Sequence, residues 1–587
     1  MTFAPSAPHR RRFLLAGTGL AAGVVLAAPA RAFPFNAAPF ATHTAAALAG
    51  LPAAATGASA GGANPAMSEE THLLSRLAFG PSTADRERLR ALGTDGWIDE
   101  QLRPDKLALP ADLQRELDAL PTQTLSQHEL LMRYREAQYA GKTDEGKARR
   151  HFLMGSVAQE DAQARLLRAT RSPRQLEEVL TEFWFNHFNV FADKGPIKML
   201  SGHYERTAIR PHVLGRFRDM LGATARHPAM LFYLDNWLSV APGMQVSAGR
   251  TGLNENYARE LMELHTLGVD GGYTQKDVTE LARMLTGWTY RADRTTPSVF
   301  EFVAKQHDNG SKTWLGQTIE PAGEAEGEHA LDVLARHPST AKRIGFKLAQ
   351  CFVADAPPPA LVERLARRFL DTDGDLREVT RALVTSAEFR APEVRGAKFK
   401  TPYRQVVTAA RVSGLAITDT LPLRATLTQM AQPLYGCPTP DGWKDTEEAW
   451  LSPEAIGRRV NFASTLASGR LPIDTPFRLM PEPDAPDPKA GARAADMAPA
   501  TMGEMKPPMP AMPAPGRAQA AVIRRDAAAL ADADAGTRAR RPEPLDAERL
   551  LAALGDAITP RVRAAVADAR PELRAALVLG SPDFMRH

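Results

Sequence analysis

The sequence predicts a mostly α fold, a multi-helical single globular domain with few or no strands. Three observations carry this. Apolar residues recur at helical spacing in one segment after another, Pro or Gly separates several of those segments, and the strict apolar–polar alternation of a half-buried strand is scarce.

The first element is a leader. Arg10-Arg11-Arg12-Phe13-Leu14 sets a twin-arginine pair ahead of an apolar stretch that runs to Ala30, and the small-x-small site Ala30-Arg31-Ala32 follows. Residues 1–32 therefore read as a twin-arginine signal peptide cleaved after Ala32, and the mature protein is expected in the periplasm or secreted. Gly17, Gly19, Gly23 and Pro29 interrupt the stretch, which argues against a stable span of the roughly 20 residues a bilayer demands. No later segment is apolar for long enough, so no membrane span is expected in the mature chain. Export in the folded state is often linked to a cofactor inserted beforehand, without identifying one.

Residues 33–66, rich in Ala, Gly, Pro and Thr, read as a flexible lead-in. The helical core domain spans 67–480 and opens with periodic segments at Glu70–Leu77, Asp85–Leu92, Gly96–Leu102 and Leu113–Leu120. Residues 481–545 form a Pro/Ala/Met-rich insertion that buries too little apolar surface to offset the entropy of ordering, and is expected to be disordered. Helical pattern returns in 546–587, at Asp546–Leu554 and Arg561–Leu579, and these helices are expected to dock on the core. An internal echo accompanies them: Leu383-Val-Thr-Ser-Ala-Glu-Phe389 recurs loosely as Val578-Leu-Gly-Ser-Pro-Asp-Phe584. Its simplest meaning is a shared helix-ending turn in which Ser bonds the backbone.

A net charge of +4 over 587 residues points to no nucleic acid and no anionic membrane surface as partner. The two cysteines, Cys351 and Cys437, make at most one disulfide and are too few for a thiolate zinc or iron–sulfur site. Met497, Met502, Met505, Met509 and Met512 in the insertion admit two readings: weak Cu(I) capture by soft thioethers, or a low-complexity linker without accompanying His or Cys.

Chemistry is sought between Thr181 and Trp288. Leu180, Phe183, Trp184, Phe185 and Phe188 surround His187, and a helix apolar on all sides is buried. His187 is then either a hydrogen-bonded core histidine or a ligand or general base. The run Asn254 to Gly268 predicts a helix from 255 to about 266, with Asn254 as N-cap and Gly268 just past its end. On a regular helix His265 lies roughly 140° from Glu260 and 160° from Glu263, so these three cannot hold one ion together. Glu255 with Arg259, and Arg259 with Glu263, are spaced for surface ion pairs. The candidate catalytic set is nevertheless His187, Glu255, Arg259, Glu260, Glu263 and His265. The candidate metal set is His187, Glu260 and Glu263, completed by His203, Asp235 or His307, with a divalent metal as the cofactor to look for. Thr274 with Asp277 forms a capping box for the next helix.

Motifs in matching order make the chain resemble the bacterial family known as domain of unknown function 1800. They include His72-Leu-Leu-Ser-Arg-Leu-Ala-Phe-Gly80, Phe183-Trp-Phe-Asn-His-Phe188, Arg210-Pro-His212, His227-Pro-Ala-Met230 with Tyr233-Leu-Asp235, and Asn254 through Trp288. His307 with Lys312, His337-Pro-Ser-Thr-Ala341 with Lys347-Leu348, and Pro440-Asp-Gly-Trp443 continue the match. The resemblance implies an exported protein with no assigned reaction. It also implies a candidate partner, an exported protein similar to family 1501, whose members resemble sulfatases and alkaline phosphatases. Two function classes follow: an exported enzyme, such as a metal-assisted hydrolase or oxidoreductase, and a non-catalytic helical binding or assembly protein at the cell envelope.

Overall fold

Serine and threonine caps fix where many of the helices begin. Ser82 with Asp85, Ser126 with Glu129 and Thr274 with Asp277 each form a reciprocal capping box that satisfies two otherwise unpaired backbone donors. The computed structural model describes residues 63–247, 250–291, 299–483 and 543–587. The leader, the lead-in up to residue 62 and the stretch 484–542, with Met497 through Met512, lie outside the described residues.

Among the described residues the chain is mostly α. The three strand pairs are two-stranded and antiparallel: Gln245–Ser247 with Arg250–Thr251, Trp288–Tyr290 with Phe300–Phe302, and Lys312–Trp314 with Gln317–Ile319. No helix among the described residues is long and apolar enough to cross a membrane. Gly93, at φ 69°, kinks the helix Thr83–Gln101 where the sequence suggests two segments.

The 28-residue helix Asp144–Arg171 is the axis of the domain. Helices Gln127–Tyr139, Gln175–His187, Ile197–Tyr204, Pro402–Val412 and Leu421–Gln429 pack around it. Its second half is buried on nearly every side, yet it carries Glu160, Asp161, Gln163 and Arg165. Each is satisfied from a neighbouring segment: Glu160 accepts from Thr122 N (2.7 Å), Asp161 from Gly202 N (3.2 Å), and the Gln163 carbonyl from Thr420 N (2.9 Å). Arg165 meets Glu205 at 2.9 Å. Polar side chains at these depths are stable only when paired, so they also fix which helices meet the axis.

The last helix, Pro571–Leu579, packs on Pro453–Ala467, and the chain end pairs with residues 398–400, Lys400 N donating to Met585 O at 2.8 Å. The sequence echo is a pair of matching turns. Ser386 Oγ accepts from Phe389 N and donates to Leu383 O, and Ser581 Oγ accepts from Phe584 N and donates to Val578 O.

A buried ionic knot closes the segment from Trp288 to Glu326. Glu326 takes His307 Nε2 at 3.0 Å, Lys312 Nζ at 2.6 Å and the backbone amide of Ala322 at 2.9 Å, with all three side chains fully enclosed. Burial works against the Glu326 charge, but Lys312 and the amide outweigh it and hold the carboxyl below its usual range. His307 is thereby a structural residue rather than part of a ligand set. Glu326→Gln strands the Lys312 ammonium in the core, so a loss of about 3–5 kcal/mol is expected in denaturant unfolding; a shift within measurement error would show that the knot is dispensable.

Candidate functional site

The helix Gln175–His187 has two working faces. Glu182 and Asn186 are four residues apart and share one of them, whereas His187, five residues past Glu182, points about 140° away. The first face meets the loop 432–445. Asn186 Nδ2 donates to Trp443 O (2.8 Å) and its Oδ1 accepts from Trp443 N (2.7 Å), so one amide holds the loop as a strand partner would. Asn189 Nδ2 donates to Cys437 O (3.0 Å) and Thr439 O (2.8 Å), and the Tyr233 hydroxyl donates to Pro438 O (2.9 Å). Gly442 has φ +71°, and a Cβ there would lie 2.2 Å from Asn186 O, so the close approach that makes the clamp admits only glycine.

Between the helix, this loop and the start of helix Pro402–Val412 lies a small cleft of about 80 Å³, open to solvent on one side. Arg165, Glu182, Phe183, Tyr403, Arg404 and Tyr435 are among the residues that line it. Arg165 sits over the rings of Phe185 (5.2 Å), Tyr403 (5.1 Å) and Tyr435 (5.1 Å) while its Nη1 pairs with Glu205. Glu205 also takes Arg210 (3.0 Å) and the Tyr435 hydroxyl (2.9 Å), and Arg210 in turn pairs with Glu178 (2.7 Å). Burial opposes the Glu205 charge, but Arg165 and Arg210 prevail and hold its carboxyl down. Tyr435 (φ 56°) and Ala431 (φ 64°) occupy the left-handed region, which costs side-chain-bearing residues on the order of 1–3 kcal/mol each and concentrates at functional sites.

Glu182 is the opposite case. Among the described residues no hydrogen bond and no ion pair reaches its carboxylate. Glu182 is half-buried at the cleft wall, and its partial withdrawal from water pushes it up to about 7, partly offset by the Arg404 and Arg165 charges. Arg404 faces the same cleft without a carboxylate partner among the described residues; its Nη1 rests on the carbonyls of Ser75 (3.5 Å) and Arg76 (3.4 Å). Lys444 is matched by Asp441 (2.6 Å), whereas Asp445 (3.6 Å) shares Lys398 with Asp355, which holds that ammonium at 2.6 Å. Burial, reinforced by Asp445, pushes the Cys351 thiol up to about 12, and burial raises Cys437, so neither is a thiolate nucleophile at neutral pH. The arrangement offers a proton carrier, a fixed cation and an aromatic wall.

The residues singled out by sequence fall elsewhere. His187 is a core histidine: Nε2 donates to His265 O at 3.1 Å, Trp184 and Phe188 flank the ring, and burial with His265 and Lys347 nearby keeps it neutral. The expected regular helix 255–266 is Asn256–Glu260 followed by a π-turn, Leu261–His265. The wider turn breaks the i,i+4 register, so Arg259 pairs with Glu255 (3.1 Å) and the expected Arg259–Glu263 pair does not form. Glu255 is also tied to Gln275 (2.8 Å) and Thr279 (2.7 Å), which makes it a helix-to-helix brace. Glu260 is raised by burial and by Glu263, and Glu263 faces Arg343 and Tyr273. Burial pushes His265 down to about 3. His203 meets His227 (3.1 Å) and Asp235 meets Lys194 (3.0 Å). Among the described residues no group of three or more His, Cys, Asp or Glu is placed to hold a metal ion, so His187, Glu260 and Glu263 do not assemble as a ligand set.

Sequence reasoning passed over Glu182, Asn186 and Arg404. The signal for Glu182 was present: it is the lone carboxylate within the apolar run from Val179 to Phe185.

Fold and cleft define the class: a mostly α domain with one face of a core helix opened onto a small, mainly apolar cleft that carries a few charged groups. The chain belongs to the family described as Protein of unknown function (DUF1800), which matches residues 72–586. No curated protein and no solved structure matches it.

Two outcomes are expected. Asn186→Ala removes both hydrogen bonds to Trp443, costs about 1–3 kcal/mol and speeds hydrogen exchange at the Trp443 amide; unchanged exchange would mean the loop is held without the clamp. Glu182 binds its proton more tightly folded than unfolded, so its contribution is complete below about pH 4.5 and is lost as pH rises through about 7. Glu182→Gln abolishes that loss. Allowing for water in the cleft, the variant gains on the order of 1–2 kcal/mol over wild type between acid and mildly alkaline pH, as read by thermal melts across pH.

Proposed function

We propose that the chain is an exported enzyme that binds a small organic molecule in this cleft and moves a proton with Glu182 as general acid or base. The observation that carries the reading is the Glu182 carboxyl, without an ion pair or hydrogen bond among the described residues and pushed up to about 7, in the same cleft as Arg404, which has no carboxylate partner there. A carboxyl poised near the working pH exchanges protons at low cost in either direction, which is where general acid–base catalysis is most effective. Arg404 supplies a fixed positive charge at which negative charge on the reacting molecule is stabilised.

The twin-arginine motif at Arg10–Arg12 supports action outside the cytoplasm, in the periplasm or beyond. Metal-assisted hydrolysis or oxidoreduction built on His187, Glu260 and Glu263 has no ligand group among the described residues, so chemistry by the chain's own acid and base is favoured. An exported protein similar to family 1501 remains the partner to test, as the supplier or consumer of the cleft's ligand.

Full-length protein incubated with small molecules extracted from its own compartment, with turnover followed by mass spectrometry, tests the reading. Glu182→Gln is expected to slow the reaction by about 10²–10⁴-fold with the fold intact, and the wild-type rate is expected to titrate near neutrality. A ligand bound but never converted would favour the binding-protein reading, and equal turnover by wild type and variant would remove Glu182 from the chemistry.

A further inference from the structure

Charge is not balanced behind the cleft. Arg404, 5 % exposed, lies against Arg76, which is fully enclosed and whose Nε and Nη1 have no hydrogen-bond partner, and close to Lys400 and Arg459, also buried. Burial and then the Arg404 charge push Arg76 down to about 9 and Lys400 to about 7, the mark of cations crowded together with too little opposing charge. Of the charges lining the cleft, Arg165 is paired with Glu205 and Lys444 with Asp441, while Asp445 shares Lys398 with Asp355. Among the described residues no carboxylate forms an ion pair with Arg404, whose Nη1 meets only Ser75 O, Arg76 O and His587 Nδ1 at the cleft wall. Beside it stand aromatic surfaces, Phe183, Phe185, Tyr403 and Trp443, suited to an apolar body.

We propose that the cleft takes an organic monoanion, a carboxylate on an apolar or aromatic body, with its charge on Arg404 and one oxygen hydrogen-bonded by Glu182, so that each binding event traps one proton. The proposal rests on the reading of Glu182 as the proton-carrying group of the cleft, and names the class of molecule that group serves. A guanidinium edge matches a carboxylate in plane and charge. An ionised Glu182 repels the incoming carboxylate, whereas the protonated acid donates to it. A phosphate ester, doubly charged above neutrality, leaves one charge unmatched. The charged and titratable groups around Glu182 are Arg165, Tyr403, Arg404, Cys351, Lys444 and Asp445. Of these, Arg165 and Lys444 are already paired and the Cys351 thiol is held protonated; Lys400, beside Arg404, is also pushed to about 7, so the response of Glu182→Gln decides which of the two groups takes up the proton.

The test is titration calorimetry of the full chain with benzoate and with inorganic phosphate, at mildly acid and mildly alkaline pH and in buffers of different ionisation heat. Benzoate is expected to bind the wild type, to weaken about tenfold per pH unit above neutrality, and to take up about one proton on the alkaline side. Glu182→Gln, whose amide donates as the protonated acid does, is expected to bind benzoate equally at both pH values with no proton uptake. This is a gain of alkaline binding that a misfolded variant cannot mimic. Arg404→Met is expected to weaken benzoate at least tenfold. Phosphate binding tighter than benzoate would overturn the carboxylate assignment, and benzoate binding without proton uptake would overturn the coupling. Failure of both anions to bind overturns the anion site; if the pH dependence of stability at Glu182 persists in that case, the acid–base reading survives alone.

Discussion

The ion pair between Arg165 and Glu205 is the constraint on which the rest of the cleft depends. Its two side chains, 7 % and 4 % exposed, join the axial helix to the segment Glu205–Ile209, and the rings stacked on Arg165 bring in helix Gln175–His187, helix Pro402–Val412 and the loop 431–437. A buried pair of this kind adds little net stability, because desolvation consumes most of the Coulombic gain. What it contributes is exclusivity: either charge left alone in the core costs several kcal/mol, so packings that separate the two are rejected. Tyr435 shows the consequence. Its backbone stays in the left-handed region because its hydroxyl is anchored on Glu205 and its ring on Arg165.

The same pair explains why Glu182 behaves as it does. Two carboxylates approach the cleft from neighbouring elements. Glu205 receives Arg165 and Arg210 and is held ionised; Glu182 receives neither, since both guanidiniums are already engaged, and burial drives it up. Environments that push two like groups apart are how a protein keeps one acid charged and another available to exchange protons. Arg404 mirrors this on the cationic side, with backbone carbonyls for support and no carboxylate. Glu182, without a partner among the described residues, and Arg404, without a carboxylate among them, therefore line the same space, and the Asn186 clamp on Trp443 keeps one wall of that space in place.

Much of the fold was legible in the sequence because its determinants are local. Helical periodicity and the Thr274/Asp277 cap depend on residues a few positions apart, and the serine turns at Ser386 and Ser581 repeat because each is specified within four residues. The helix after Asn254 was misread in detail. A π-turn adds one residue to a helical turn without any composition cue, and it moved His265 into the core and parted Arg259 from Glu263. The site was legible only in part. Phe183 through Phe188 stands out in the sequence as an apolar run around a histidine, which draws attention to His187 rather than Glu182, and apolar periodicity gives no hint of which face opens onto a cleft. The partners that decide the matter, Arg404 and the loop to Trp443, lie more than two hundred residues further along, and only tertiary structure brings them to Asn186 and Glu182.

The most direct measurement of the central claim is the titration of the Glu182 carboxyl itself, followed by infrared difference spectroscopy of the carboxylic acid stretch in the full-length protein, with Glu182→Gln as the subtraction standard. A single acid band that disappears with a midpoint near 7 is the expected result. A midpoint near 4.5, the ordinary value for glutamate, would contradict a proton held in the cleft at neutral pH.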